Sequence, residues 1–150
     1  MSKRWMRFAF VTSGDKNLGY LLMRLLLGTG LVTHGYGKFT GGIERWEKLG
    51  STMGRIGIKF FPAFWGFMAA FAEFIGGILL ILGVFTTLAS FLCVCTMLVA
   101  SFVAHSGGSF SDRELALFYL VPSFMYMVKG AGAYSIDNLM FGASGSSKEK

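Results

Sequence analysis

The segment PAFWGFMAAFAEFIGGILLILG, residues 62–83, decides the fold. Glu73 is the one charged residue in this run of 22. A helix of about 20 mostly apolar residues is long enough to cross the hydrocarbon core of a bilayer. The segment is therefore predicted to form a membrane-spanning helix.

Three more segments approach the same length and apolar character, and they cover residues 18–39, 85–104 and 114–128. Within a bilayer an open sheet would leave backbone groups unpaired, so such segments must be helices. The short link 83–87 makes the second and third segments antiparallel neighbours, and Pro122 favours a kink in the fourth. The predicted fold class is all-α, a bundle of four transmembrane helices.

The composition excludes several other classes of protein. Of 150 residues, 53% are hydrophobic and 15% are charged, whereas soluble chains carry about a quarter charged residues. Two cysteines are too few for a disulfide-rich scaffold. The net charge of +6 comes from short basic clusters between apolar runs. Such clusters favour contacts with lipid head groups, and no nucleic-acid partner is expected.

The connection between the first and second spans, residues 40–61, has a helical pattern of its own. Its apolar residues recur at steps of three and four, which places them on one face of a helix. They are Trp46, Leu49, Met53, Ile56 and Phe60. An amphipathic helix in the membrane interface is predicted, and the glycines at 50, 54 and 57 leave a broken or re-entrant segment as the alternative.

The two ends of the chain lie outside this bundle. Residues 1–17 are interpreted as a cytoplasmic leader, 18–141 as a single membrane domain and 142–150 as a flexible polar tail. Basic residues divide seven to six between the two membrane sides, with the slight excess on the side of the two termini. We expect a multi-pass protein of a prokaryotic plasma membrane, and this slight excess favours both termini inside.

Two charged residues lie deep in the predicted spans. A charge at the centre of a spanning helix is costly, so it needs a partner or a function. Arg24 and Glu73 are the deepest, and small residues share the side of the second span that carries Glu73. We predict an Arg24–Glu73 ion pair inside the bundle, which serves either to hold two helices together or to form part of a site.

Antiparallel packing brings a second set of polar residues to one membrane face. The set consists of His34, Lys38, His105 and Glu114. Histidine titrates near neutral pH and a carboxylate can relay a proton, so these residues could bind a quinone and exchange protons with it. The alternative is a network of hydrogen bonds that caps helix ends.

Other cofactors find less support in the sequence. His34 and His105 are the minimum for haem ligation, but nothing else favours haem. No HxxH or CxxC spacing points to a metal. Cys93 and Cys95 point about 200° apart on a helix, so they are expected to stay free.

An ordered set of short motifs resembles the DoxX family of small membrane proteins. The set comprises 21–28 (LLMRLLLG), His34-Gly35 with Lys38, 71–77 (FAEFIGG), His105, a glutamate that opens the fourth span, and 130–137 (GAGAYSID). The family usually ends in G-P-G-R-Y-S-[LI]-D. Tyr134, Ser135 and Asp137 keep that pattern, whereas Ala131 and Ala133 replace its proline and arginine.

The resemblance implies a four-helix membrane protein linked to redox metabolism. Relatives are described as subunits of a thiosulfate:quinone oxidoreductase or as membrane partners of enzymes of sulfur metabolism and oxidative stress. The first hypothesis is therefore a quinone-binding subunit that takes its electrons from a partner subunit or a bound cofactor. The second is a non-catalytic anchor that docks soluble redox enzymes through residues 41–59. A third is transport of protons or small molecules, and a homo-oligomer is compatible with all three.

Overall fold

The computed structural model describes residues 18–141, and of Phe141 the backbone alone. The elements are α1 (Leu18–Phe39), α2 (Gly42–Gly50), a 3-10 helix (Ser51–Ile56), α3 (Pro62–Leu82), α4 (Thr86–Val99), a π-helix (Ala100–Ala104), α5 (Phe110–Lys129) and α6 (Ile136–Phe141). All regular secondary structure in this part of the chain is helical, as predicted. The two predicted terminal segments, 1–17 and 142–150, lie outside the described residues.

Two of these helices are long and apolar enough to cross a membrane. They are α3 and the continuous helix formed by α4 and the π-helix, Thr86–Ala104. Large apolar side chains cover the outside of the bundle, and Leu26 and Val121 are 71% and 70% exposed. An exposed apolar surface of this kind suits lipid rather than water. Helices α1 and α5 have 22 and 20 residues, and their crossing of the membrane stays a prediction.

Glycines set the register of α1 against α3, which run antiparallel. A methyl group on Gly28 would lie 2.7 Å from the carbonyl oxygen of Gly77, and one on Gly35 would lie 2.8 Å from the backbone carbon of Glu73. The two backbones therefore approach more closely than any larger side chain would allow. Gly35 and Glu73 consequently lie at one level of the bundle.

Helix α2 continues the same packing along the first turns of α3. A methyl group on Gly66 would collide with the carbonyl group of Trp46, and one on Gly50 would collide with that of Pro62. Helices α2 and α3 therefore run antiparallel, with Trp46 opposite Gly66 and Gly50 opposite Pro62. Helix α3 extends beyond the end of α1, and α2 covers the extension.

The amphipathic pattern of residues 40–61 is confirmed in its first half only. Trp46, Leu49 and Met53 are half-buried against the bundle, whereas Ile56 and Phe60 are 53% and 60% exposed. The helix narrows to a 3-10 turn after Gly50 and ends at Gly57, whose φ of 88° is left-handed. The single helical face predicted through Phe60 was therefore wrong, and the alternative of a broken segment is confirmed, because the glycines end the helix first.

Helices α4 and α5 complete the bundle on the other side of α3. The core consists of residues from α1, α3, α4 and α5, namely Leu27, Leu31, Leu80, Ala89, Cys93, Met97 and Tyr126. The thiol of Cys93 lies at the contact of α3 with α4, where Sγ is 3.2 Å from the carbonyl oxygen of Ala72. As predicted, a tight turn at Gly83–Phe85 makes α3 and α4 antiparallel neighbours.

Candidate functional site

A lysine and a glutamate form a closely bonded pair between α1 and α3. Lys38 Nζ lies 2.6 Å from both carboxylate oxygens of Glu73. The Glu73 side chain is 3% exposed and the Lys38 side chain is 29% exposed. The carboxylate is therefore sealed in the bundle, whereas the ammonium group reaches it from the partly open end of α1.

The predicted Arg24–Glu73 ion pair was wrong, although both residues are buried as expected. Glu73 pairs with Lys38, and Arg24 lies near the other end of α1, where its guanidinium group packs beside Gly83. The register explains the difference. Gly35 lies opposite Glu73, and Arg24 precedes Gly35 by 11 residues, or about 16 Å of helix.

Small residues allow the Glu73 carboxylate to turn inward. Gly35 brings the α1 backbone against Glu73, and Ala70 and Gly77, one turn to either side, are both buried. A buried carboxylate is costly unless a cation satisfies it, and Lys38 is that cation. Lys38 comes from the last turn of α1, where a positive charge also interacts favourably with the helix dipole.

His34 lies one turn before Lys38 on α1 and contacts α5. Its ring meets the ring of Tyr119 edge to face, with centroids 5.7 Å apart. Gly30 makes room for this tyrosine, because a methyl group there would lie 2.6 Å from the Tyr119 hydroxyl. His34 itself is exposed, so its imidazole is accessible beside the charge pair.

Aromatic rings line the α1–α3 contact next to the same pair. Phe39 stacks on Phe74 at 5.1 Å with an angle of 30° between the rings, and Tyr36 lies 5.8 Å from Phe74. Phe39 also meets Phe67, which contacts Trp46 of α2 at 5.0 Å. The charge pair therefore has a wall of flat rings beside it.

The other two members of the predicted pocket lie elsewhere. Among residues 18–141, no hydrogen bond, ion pair or ring contact joins His34, His105 and Glu114 to one another. His105 is exposed at the end of the π-helix, near Asp112. Glu114 is exposed on α5 and lines a groove on the surface of the bundle. Only His34 and Lys38 of the four share a site.

Asp112 organises the loop that carries His105. Its carboxylate accepts the Ser109 hydroxyl at 2.9 Å and the Ser109 backbone N–H at 2.6 Å, at the first turn of α5. These two bonds stabilise the ionised form and lower the pKa of Asp112, with smaller contributions from His105 and Arg113. The arrangement caps α5 through Ser109 and Asp112, and none of the four residues predicted for this face takes part in it.

Arg24 binds the backbone of the segment that follows α5. Its guanidinium nitrogens donate to the carbonyl oxygens of Ala131 and Tyr134, the latter at 2.6 Å. Tyr20, one turn earlier on α1, donates to the carbonyl of Gly130 at 2.7 Å. In the described part of the chain, no carboxylate lies within ion-pair distance of Arg24. Arg24 is therefore held by backbone dipoles.

The motif 130–137 is a structural clasp between α5 and the α3–α4 turn. Ser135 Oγ donates to the Gly132 carbonyl at 2.6 Å, and the carboxylate of Asp137 accepts the backbone N–H groups of Phe85 and Thr86. Gly132 has a φ of 78°, and a methyl group there would lie 2.7 Å from the Tyr20 ring. The clasp depends on Tyr134 through its carbonyl group alone, and the Tyr134 ring is 48% exposed.

One arginine contact could not be predicted from the sequence. Arg55, in the 3-10 helix, donates to the carbonyls of Val103 at 3.1 Å and Ala104 at 2.7 Å. These carbonyls belong to the π-helix at the end of α4, whose widened turn bonds His105 N–H to the Ala100 carbonyl. A cation at a helix C-terminus is favourable. In the sequence, Arg55 stands out only as a single basic residue among glycines.

The cysteines and metal candidates give a plain result. Cys93 is buried, Cys95 is exposed and both are free, as expected. Between residues 18 and 141, no group of three His, Cys, Asp or Glu residues could hold a metal ion.

The apolar surface, the two helices able to cross a bilayer and the inward charge pair define a small helical membrane protein. Residues 19–106 match the family model DoxX, and the chain belongs to the DoxX family. A relative from Haemophilus influenzae, described as an uncharacterized protein, is 37% identical over 81 residues, which are 49% of this chain. The chain thus spans 60% of that relative's length. No solved structure matches the chain.

Proposed function

We propose that this DoxX protein is a quinone-binding membrane subunit of a redox complex and that the ligand binds at the Lys38–Glu73 pair. The observation that carries the proposal is the bidentate contact itself, with Lys38 Nζ 2.6 Å from each oxygen of a carboxylate that is 3% exposed. Because Glu73 is buried and Lys38 is partly exposed, a polar head group can reach the pair only through Lys38 and its neighbours.

The chemistry of a quinone suits these neighbours. Reduction of a quinone to a quinol takes two electrons and two protons, and its carbonyl oxygens accept hydrogen bonds from cationic donors. Lys38 offers an ammonium donor, and His34, one turn earlier on α1, offers an imidazole that can donate or accept a proton. Glu73 holds the lysine in place through its two carboxylate oxygens.

The aromatic wall supports the same ligand class. Phe39, Phe74 and Tyr36 lie beside the pair, and flat rings prefer offset-stacked or edge-on contacts with one another. We propose that a quinone ring packs against these rings while the Lys38 ammonium group donates to one of its carbonyl oxygens. The electrons come from a partner subunit, since the side chains around the pair transfer protons and not electrons. Sulfur compounds such as thiosulfate are the proposed electron source.

A titration tests the proposal directly. A decyl-tailed ubiquinone analogue is titrated into the purified full-length protein, and binding is followed by quenching of tryptophan fluorescence. We expect saturable binding that weakens at least about tenfold in the double variant Lys38→Gln/Glu73→Gln, because charge-assisted hydrogen bonds contribute about 1.5–3 kcal/mol. His34→Ala should also weaken binding, whereas His105→Ala should not.

The chain offers a matched control on α2. Glu44 and Lys48 are an exposed pair of the same residue types, four residues apart. The variant Glu44→Gln/Lys48→Gln removes the same charges without touching the site and should bind as the wild type does. Equal affinity in all five proteins, or no saturable binding, contradicts the proposal.

The anchor hypothesis has one observation of its own. Glu44, Arg45, Glu47 and Lys48 are all exposed on α2, opposite the side that packs on α3. We propose this charged surface as the docking site for soluble redox enzymes if quinone titration fails. Loss of co-purifying partners on neutralisation of these four residues, with an unchanged yield, is the expected result for an anchor in the plasma membrane with both termini inside.

A further inference from the structure

A groove runs along the outside of the bundle between α1 and α5. Its volume is about 550 Å³, and its lining includes Met23 from α1 and Glu114, Phe118, Val121 and Pro122 from α5. Phe118 and Val121 are 66% and 70% exposed, so the groove opens toward the surrounding lipid. It is separate from the Lys38–Glu73 pair, none of whose atoms line it.

Tyrosine contacts join α1 and α5 on either side of Met23 and Pro122. Tyr20 packs on Tyr126 with ring centroids 4.7 Å apart, and Tyr119 packs against Gly30 and His34. Met23 lies between the first and second of these contacts on α1, and Pro122 lies between them on α5. The groove includes Met23 and Pro122 from this stretch and extends along α5 to Glu114.

The polar groups of the groove are acceptors. Glu114 is the one charged residue in its lining. Its carboxylate makes no hydrogen bond or ion pair with residues 18–141. Pro122 has no N–H group, so the Phe118 carbonyl lacks its usual intrahelical donor. An apolar channel that offers a carboxylate at one end selects a ligand with an apolar tail and a cationic head.

We propose that this groove is a binding site for cationic amphiphiles, molecules with a hydrocarbon chain and an ammonium head group. The chain lies along Met23, Phe118 and Val121, and the ammonium group meets the Glu114 carboxylate. Such a ligand enters sideways from the membrane, since the groove opens to lipid. The site is independent of the proposed quinone function and of the residues that serve it.

The test uses dodecylammonium as the probe and the purified full-length protein in maltoside micelles. Isothermal titration should show saturable binding of dodecylammonium and at least about tenfold weaker binding of dodecanol, which has the same chain without the charge. Glu114→Gln should remove this preference. Glu47→Gln, which neutralises an exposed carboxylate of α2, should preserve it.

A pair of filling variants tests the location. Val121→Trp places a large ring in the groove, and Val128→Trp places the same ring on the same helix, 66% exposed and outside the lining. We expect Val121→Trp to abolish binding and Val128→Trp to leave it unchanged. Equal binding of the charged and neutral probes, an unaltered Glu114→Gln variant, or binding that survives Val121→Trp would each overturn the proposal.

Discussion

The carboxylate of Asp137 accepts the backbone N–H of Phe85 at 2.8 Å and that of Thr86 at 2.9 Å. It thereby caps the N-terminus of α4 from a position 51 residues further along the chain. In return, the Asp137 N–H donates to the Gly83 carbonyl at 2.8 Å. The last residue of the family motif thus caps α4 from a distant part of the chain. An ordinary N-cap is instead the residue just before the helix.

The first prediction concerns this cap. Asp137→Ala should lower the free energy of unfolding by about 1–2 kcal/mol, because the N–H groups of Phe85 and Thr86 at the start of α4 lose their acceptor. Asp137→Asn should cost less, since its amide oxygen still accepts one bond. Thermal unfolding in detergent, followed by circular dichroism, measures both. An alanine variant as stable as the wild type would contradict the capping role.

The second prediction concerns Arg24, which donates to two carbonyls of the clasp. Arg24→Lys should destabilise the protein by about 1.5–3 kcal/mol, because a single ammonium group does not reproduce the forked geometry that meets both the Ala131 and Tyr134 carbonyls. Arg45→Lys on the exposed face of α2 should change stability by less than about 0.5 kcal/mol. The comparison uses the melting temperatures of the two variants. Similar values for both would argue against the clasp.

The third prediction concerns the Lys38–Glu73 pair and takes the form of a double-mutant cycle. Lys38→Met alone strands a buried carboxylate, which should cost about 3–5 kcal/mol. Adding Glu73→Gln should recover a large part of that loss, because no charge is then left without a partner. Unfolding of the four proteins in the same detergent gives the coupling energy, which we expect to be about 1–3 kcal/mol. Simple additivity of the two changes would show that the contact has no energetic weight.

The fourth prediction compares two glycines. Gly66→Ala should destabilise the bundle by at least about 1–3 kcal/mol, because the added methyl group collides with the Trp46 carbonyl group. Gly37→Ala should be neutral or stabilise by up to about 1 kcal/mol, since nothing lies within 4 Å and alanine favours a helix. Opposite signs in the two melting shifts are the expected outcome. Equal shifts would mean that the α2–α3 contact is looser than the structure has it.

The helices were predictable from the sequence because each follows from local chemistry. Leu18–Phe39 and Pro62–Leu82 agree with apolar runs that end at glycines or at a proline, and Gly83 closes α3 with a left-handed φ of 68°. The tight turn after Gly83 follows from chain length alone. Helix α5 begins four residues before its predicted start, because Ser109 and Asp112 cap it with side chains.

The charge pairing was not predictable by the same route. The predicted pairing of Arg24 with Glu73 rests on the depth of each residue, counted from the end of its own span. That count assumes that antiparallel helices align at their midpoints. Here α3 runs past α1 to pack on α2, so Glu73 lies opposite Gly35 and Lys38 reaches it instead of Arg24. The shift depends on the fit of glycine surfaces, which no residue pattern within one helix reveals. The contact of Arg55 with the π-helix also joins two different elements, so the sequence of one helix does not reveal it.

The glycine contacts described above also determine how the bundle can move. The close contacts at Gly28, Gly35 and Gly66 fix the positions of α1 and α2 along α3. A shift by one residue would push a side chain into a neighbouring backbone. Such a shift is therefore expected to be costly along the whole contact of α1 and α2 with α3. Helix α1 meets α5 differently, through the rings of Tyr20, Tyr119 and Tyr126 rather than through closely approaching backbones.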